Sequence, residues 1–286
     1  MIFYRILGND IPLRHGAQQT VDALAFILER EPVLPGCEKR FLLNRIVDHD
    51  TQARLAGAIE AAALRWDAMP FVADEFLRLD GLAAKARYLT NQNAARNRCI
   101  DLGLADAATV MPFDGQTFFT EEGWHGLRDA LAADADARYM SVPMFRLFDN
   151  ARALGEWARP LAEDEAHIRT EPQVLIRRGH DVRFNPHLTY GQANKVELLM
   201  RLGIPGPWDG WTGPLFDSIR ADVRVAPSRS FGRVRDAGFV FRLESGNPLA
   251  DRDQALRSRA RLAGLQALVR RVEESVARLD AGERSA

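Results

Sequence analysis

Phe3-Tyr4-Arg5-Ile6-Leu7-Gly8-Asn9-Asp10 decides the fold. A mostly apolar run of strand length stops at a glycine and two polar residues, the pattern of a buried strand ending in a turn. Val21, Leu24, Ala25, Ile27 and Leu28 then recur near helical spacing until Pro32 and Pro35-Gly36 break the pattern. Phe41-Leu42-Leu43-Asn44-Arg45-Ile46-Val47 predicts a second strand, closed by Asp48-His49-Asp50. Leu55, Ile59, Ala62 and Trp66 mark a second helix, and Met69 to Val72 a third strand that Pro70 places at a strand end or a sheet edge. Strand and helix thus alternate β-α-β-α-β within roughly 75 residues, which predicts a three-layer α/β/α sandwich around a mostly parallel sheet. Such sheets bind ligands at the carboxyl ends of their strands, so Gly8-Asn9-Asp10 and Asp48-His49-Asp50 are expected where a nucleotide docks. Neither holds a phosphate-cradling glycine fingerprint, which argues against dehydrogenase and P-loop classes.

The 286 residues, 47% hydrophobic, suffice for a large core. With 38 basic and 39 acidic residues the net charge is -1, so no global field draws the chain to nucleic acid or to an anionic membrane. Cys37 and Cys99 have no metal-ligand spacing, and no stretch approaches the roughly 20 apolar residues of a transmembrane helix. The N-terminal segment reaches Asn9-Asp10 before a signal-peptide core could develop, and a reducing, cytoplasmic setting is expected.

The segment from Thr90 to Trp124 reads as helix, strand and polar turn. Asn93, Arg96 and Asn97 share one helix face, and Ala95, Cys99 and Leu102 form a packing face. The polar face is either a solvated surface or a grip on sugar hydroxyls and a diphosphate, which arginine binds through paired hydrogen bonds. Val110-Met111-Pro112-Phe113 then delivers Asp114 beside Gly115 and Gln116.

Together, Ala95-Arg96-Asn97 and Asp114-Gly115-Gln116 resemble the A-R-N-type helix segment and the D-x-D motif of family 2-like glycosyltransferases of the GT-A fold, over about residues 3 to 150. The resemblance implies a GT-A, Rossmann-like domain over residues 1–246, with a nucleotide-binding half at 1–150 and an acceptor half at 151–246. It implies glycosyl transfer from a nucleotide-sugar donor to a carbohydrate or related acceptor, in a pathway such as surface polysaccharide synthesis. Asp114 would anchor a divalent cation (Mn or Mg) on the diphosphate, and Asn93, Arg96, Asn97 and Asp10 would bind the donor. Gln116 stands where the family has a second acid, and an amide supplies no charge to a metal. Three outcomes follow: a metal held by Asp114 with help from elsewhere, a metal-independent site using arginines, or no transferase activity. The first is the expectation, with His187 completing the metal site. A nucleotidyltransferase and a non-catalytic carbohydrate-binding or scaffold protein are the alternatives.

Arg138 to Leu147 reads as a strand with an edge or a bulge at Pro143. An inverting transferase needs a carboxylate to take the acceptor's proton, and Glu171, just before the strand Val174-Leu175-Ile176, is preferred over the cluster Glu163-Asp164-Glu165. Lys195, in a loop dense with polar and aromatic groups, faces a phosphate or caps that loop. Trp208-Asp209-Gly210-Trp211 either stacks on a sugar ring or plugs a gap between layers. From about Asn247, Leu265, Leu268, Val269, Val272, Val276 and Leu279 predict an amphipathic helix that packs on the domain or joins two copies into a homo-oligomer, within a 247–286 appendage whose tail is disordered after Asp280.

Overall fold

Every residue of the first strand, β1 (Ile2–Leu7), is buried, because helices cover both faces of the sheet around it. Its even positions Ile2, Tyr4 and Ile6 pack with Ala95, Cys99 and Ile100 of one helix. Its odd positions face the other way, Phe3 toward Trp124 and Leu127, and Leu7 toward Leu24, Leu55 and Ile59. This alternation is the period-two signature of a strand in a three-layer sandwich. Arg5, the one charge in the strand, lies between the Phe41 and Phe113 rings and is neutralised by Glu31 at 2.7 Å.

The computed structural model describes residues 1–154, 169–180, 182–188, 190–191, 194–225, 234–247 and 253–283. The Glu163-Asp164-Glu165 cluster lies outside them. After β1 come α1 (Gln19–Arg30), β2 (Glu38–Asn44), α2 (His49–Ala61), β3 (Arg65–Met69), α3 (Ala73–Leu77), α4 (Gly81–Thr90), α5 (Gln92–Asp106), β4 (Thr109–Asp114), β5 (Thr117–Phe118), α6 (Glu121–Ala133), β6 (Tyr139–Arg146), β7 (Arg169–Arg177), α7 (Val196–Arg201), α8 (Pro214–Val225), β8 (Val234–Asp236), β9 (Val240–Arg242) and α9 (Gln254–Glu283). The sheet order is β3-β2-β1-β4-β7-β6-β9-β5, with β8 also on β6. β3, β2, β1 and β4 run parallel, and β7 enters antiparallel between β4 and β6, so the sheet is mixed with a parallel half.

Several expected boundaries move. β2 stops at Asn44, not Val47, because Arg45 turns left-handed (φ 49) and sends its N–H to Met69 O. β3 spans Arg65–Met69, ahead of the Met69 to Val72 run, since Pro70 cannot continue the ladder. Asp48-His49-Asp50 is a helix start: the Asp48 carboxylate accepts the Thr51 N–H at 2.8 Å as the N-cap of α2. Pro143 sits at a bulge where the β6–β7 register shifts between Val142 and Met144, inside the sheet and not at its edge. Glu171 is within β7, not just before the strand.

α9 begins at Gln254 and continues to Glu283, past the point where the tail was expected to fray. Leu265, Leu268, Val269, Val272 and Val276 pack on Phe76, Ala86 and Leu89, so its apolar stripe is covered by the chain's own α3 and α4. Lys85 and Glu273 close the contact at 2.5 Å. Gly264 lets α9 lie against the Ile11-Pro12 turn, since a Cβ there would overlap the Pro12 carbonyl oxygen. Helix propensity alone would make Gly264→Ala stabilising by about 1 kcal/mol. The overlap reverses the sign, and a loss of about 1–3 kcal/mol is expected in thermal unfolding; a stabilised variant would refute this docking.

Candidate functional site

A cavity of about 1020 Å³ opens at the carboxyl ends of β1 and β4, as parallel-sheet topology predicts. Gly8 and Asn9 form part of its wall, and α9 closes one side with Arg257, Ser258 and Arg261. Asn9 joins the ends of the first two strands by donating to Arg45 O at 2.7 Å and accepting from Val47 N at 2.9 Å.

Asp114 ends β4 at the floor of this cavity. Gly115 follows because a Cβ there would come within 2.5 Å of Ile6 O in the neighbouring strand. Both carboxylate oxygens are engaged: Arg96 Nη2 donates to Oδ1 at 2.8 Å and Lys195 Nζ to Oδ2 at 2.9 Å. Burial pushes the Asp114 carboxyl up, but Lys195, Arg96 and Arg242 outweigh it and hold it well below the usual carboxylate range. Lys195 also donates to Glu171 O at 3.2 Å and Pro172 O at 3.3 Å, so its three N–H bonds are all directed at acceptors. Burial pulls its ammonium down from the ordinary lysine range, with Asp114 opposing. Lys195 thereby fastens the end of β4 to the start of β7.

The α5 face divides by role. Arg96 reaches the cavity and lies over the Phe184 ring, 5.3 Å from its centroid. Asn93 is fully buried and donates to Asn185 O and Asn194 O, both at 2.7 Å. Asn97 brackets Phe184, donating to its carbonyl at 2.9 Å and accepting its N–H at 2.8 Å. Both asparagines clamp the segment that carries Lys195 and do not line the cavity.

Of the other expected residues, Gln116, Glu171, Lys195, Trp208 and Trp211 line the cavity, whereas Asp10, His187 and Asp209 do not. Asp10 accepts from Thr20 N at 3.0 Å and Thr20 Oγ1 at 2.7 Å, holding the first turn of α1. Asp209 accepts the Gly206 N–H at 3.0 Å and closes the 3-10 turn Pro207–Gly210. Trp208 is 2% exposed and donates to Ile204 O at 3.0 Å, so it is chiefly a plug between layers. Trp211 meets Phe216 edge-on at 5.2 Å, and the pair makes an aromatic wall.

The residues present do not fit the expected metal. His187 is exposed and outside the cavity, Gln116 brings no charge, and Asp114 already holds two cations. Among the described residues no three His, Cys, Asp or Glu side chains gather as ligands.

Sequence reasoning missed the arginines. Arg146 and Arg242 are register partners on the parallel pair β6 and β9, one step after the partners Phe145 and Phe241, and both line the cavity. The repeated Phe-Arg at the end of two apolar strands was the available signal. Arg261 of α9 lies over the Tyr190 ring at 5.0 Å. Burial pushes the Tyr190 phenol up, but Arg261, Arg242 and Arg14 overcome it and draw it below its ordinary value. Among the described residues, six cations (Arg96, Arg146, Lys195, Arg242, Arg257 and Arg261) line the cavity against two carboxylates, Asp114 and Glu171.

The backbone is similar to those of solved proteins, one of them a mannosyltransferase. S. aureus TarS 1-349 in complex with UDP matches at a TM-score of 0.42 and 12% identity, over 88% of this chain and 63% of that one. Another S. aureus TarS structure matches at 0.39 and 11% over 90% and 39%. The mannosyltransferase PcManGT from Pyrobaculum calidifontis, in complex with GDP-Man and Mn2+, matches at 0.36 and 15% over 99% and 79%. The chain therefore spans less than two thirds of the TarS chains. At such scores the likeness bears on neither substrate nor mechanism. No protein-family model and no curated protein matches the sequence. No described helix is long and apolar enough to cross a membrane.

Proposed function

We propose that the chain is a glycosyltransferase that takes a sugar from a nucleotide-sugar donor and passes it to a carbohydrate or related acceptor, with surface polysaccharide assembly as its setting. The observation that carries this reading is the charge of the cavity: a chain of net charge -1 concentrates, among the described residues, six cations against two carboxylates at the carboxyl ends of parallel strands. Such a pocket selects an anion, and a nucleoside diphosphate both fills the position and matches the charge. The Trp211–Phe216 wall offers apolar faces to a ring, as sugar C–H patches require. Glu171, whose carboxylate has no hydrogen bond to a described residue, is the group available to take the acceptor hydroxyl's proton. Electrostatic stabilisation of the departing diphosphate supplies the larger share of the rate.

Thermal unfolding against UDP, GDP, CDP and ADP tests the reading. A ligand that binds the folded state raises the melting temperature, by about 2.7 kcal/mol of stability at a hundredfold excess over Kd. At least one nucleoside diphosphate should do so while its nucleoside does not. No shift with any of the four sinks the proposal.

A further inference from the structure

Resting on that nucleotide reading, we propose that the diphosphate is neutralised by arginines of the chain itself, Arg146 and Arg242 at the ends of β6 and β9 and Arg261 of the C-terminal helix, instead of by a divalent cation on Asp114. The proposal begins with the commitment of Asp114. A metal there would sit against the Arg96 guanidinium and the Lys195 ammonium, each within 3 Å of a carboxylate oxygen (2.8 and 2.9 Å). Freeing Oδ2 would release Lys195, which also holds the Glu171 and Pro172 carbonyls, so the strand end carrying Glu171 would lose its tie to β4. Asp114 is thus a holder of two cations, and the next ligand position, Gln116, adds no charge to compete with them.

The positive side of the cavity is built and not incidental. Arg146 and Arg242 are paired in register on parallel strands, so their side chains leave the same face side by side. Both line the cavity, and two guanidiniums leaving one face can share an anion between them. Arg261 approaches from α9 through a gap that Gly191 leaves open: a Cβ on Gly191 would overlap Arg261 Cδ, and the glycine's φ of 95 suits no other residue well. The Arg261 Nε–H is buried without a hydrogen-bond partner among the described residues. Three arginines from three elements, each with a planar donor fork, match two phosphates better than one metal-bearing carboxylate does. α9 is accordingly part of the binding site as well as a packing helix.

Calorimetric titration of the full chain with UDP, GDP and inorganic pyrophosphate, in EDTA and in manganese, tests this. A nucleoside diphosphate and pyrophosphate should bind in EDTA within about threefold of their affinity in manganese. Arg146→Gln and Arg242→Gln should each weaken both by about tenfold or more, with Arg146→Lys recovering part of the loss. Gly191→Ala, which displaces Arg261 without removing a charge, should weaken them in the same direction. Circular dichroism confirms that each variant is folded. Binding of UDP or GDP only with manganese overturns this proposal and leaves the nucleotide reading standing. Pyrophosphate binding in EDTA without any nucleotide binding supports the arginine site and removes the nucleotide reading. No binding of any of the three overturns both, and full affinities in all the arginine variants overturn the arginine assignment alone.

Discussion

Asp114→Ala is expected to destabilise the protein by about 3–5 kcal/mol, the usual consequence of removing one member of a buried ion pair. The carboxylate is 12% exposed and its partners Arg96 and Lys195 are 1% and 6% exposed, so water screens little of the interaction. Without Asp114 two buried cations face each other, and among the described residues Lys195 keeps only the Glu171 and Pro172 carbonyls as acceptors. In a chain of this size the loss corresponds to roughly 10 °C in melting temperature. A mutant cycle of Asp114→Asn, Lys195→Met and the double variant should show coupling above about 1 kcal/mol; additive effects would mean the pair is not an energetic unit. The pH dependence has a definite sign. Since the folded carboxyl lies well below its unfolded value of about 4, the contribution is complete above that pH and fades as the pH falls further below it. The wild type should therefore lose stability between about pH 4 and 2 more steeply than Asp114→Asn.

The parallel half of the fold was legible because its strands are buried on both faces and read as apolar runs, as β1 and β4 do. β3 was misplaced because it is an edge strand, Arg-Trp-Asp-Ala-Met, whose polar Asp67 is accommodated by Tyr4 Oη donating to it at 2.5 Å. That bond spans 63 positions and leaves no local pattern. The site followed the same division. Arg96 and Asp114 are 18 residues apart on consecutive elements and are both singled out by the resemblance, though not as partners, whereas Lys195 meets Asp114 across 81 residues and the Arg146–Arg242 pair depends on the register of β6 with β9. Asn93 and Asn97 show a further reason. A polar helix face that grips a ligand and one that clamps a loop have the same composition, and the positions of Phe184, Asn185 and Asn194 separate them.

Glu171→Gln is expected to lower turnover by about 10²–10⁴-fold, the range for removing a general base, while leaving nucleotide-induced stabilisation intact. The expectation comes from how β7 is fixed. β7 runs antiparallel to β4, with Val110 opposite Ile176, so the start of β7 lies beside the carboxyl end of β4 where Asp114 sits. Lys195 completes the tie by bonding Asp114 and the Glu171 carbonyl together. The Glu171 side chain is thereby mounted on a strand at the cavity wall, next to the charge cluster proposed to receive the diphosphate. Glutamine keeps the shape and removes the ability to accept a proton. The measurement is release of nucleoside diphosphate from a UDP- or GDP-sugar with oligosaccharide acceptors, alongside the thermal shift of the same variant. Lys195→Met separates positioning from chemistry: it should lower turnover through a displaced Glu171, but by less than Glu171→Gln does, because the base itself remains. Turnover within tenfold of wild type in Glu171→Gln would place the base on another residue, and unchanged turnover in Lys195→Met would show that the tie between β4 and β7 does not set the position of the base.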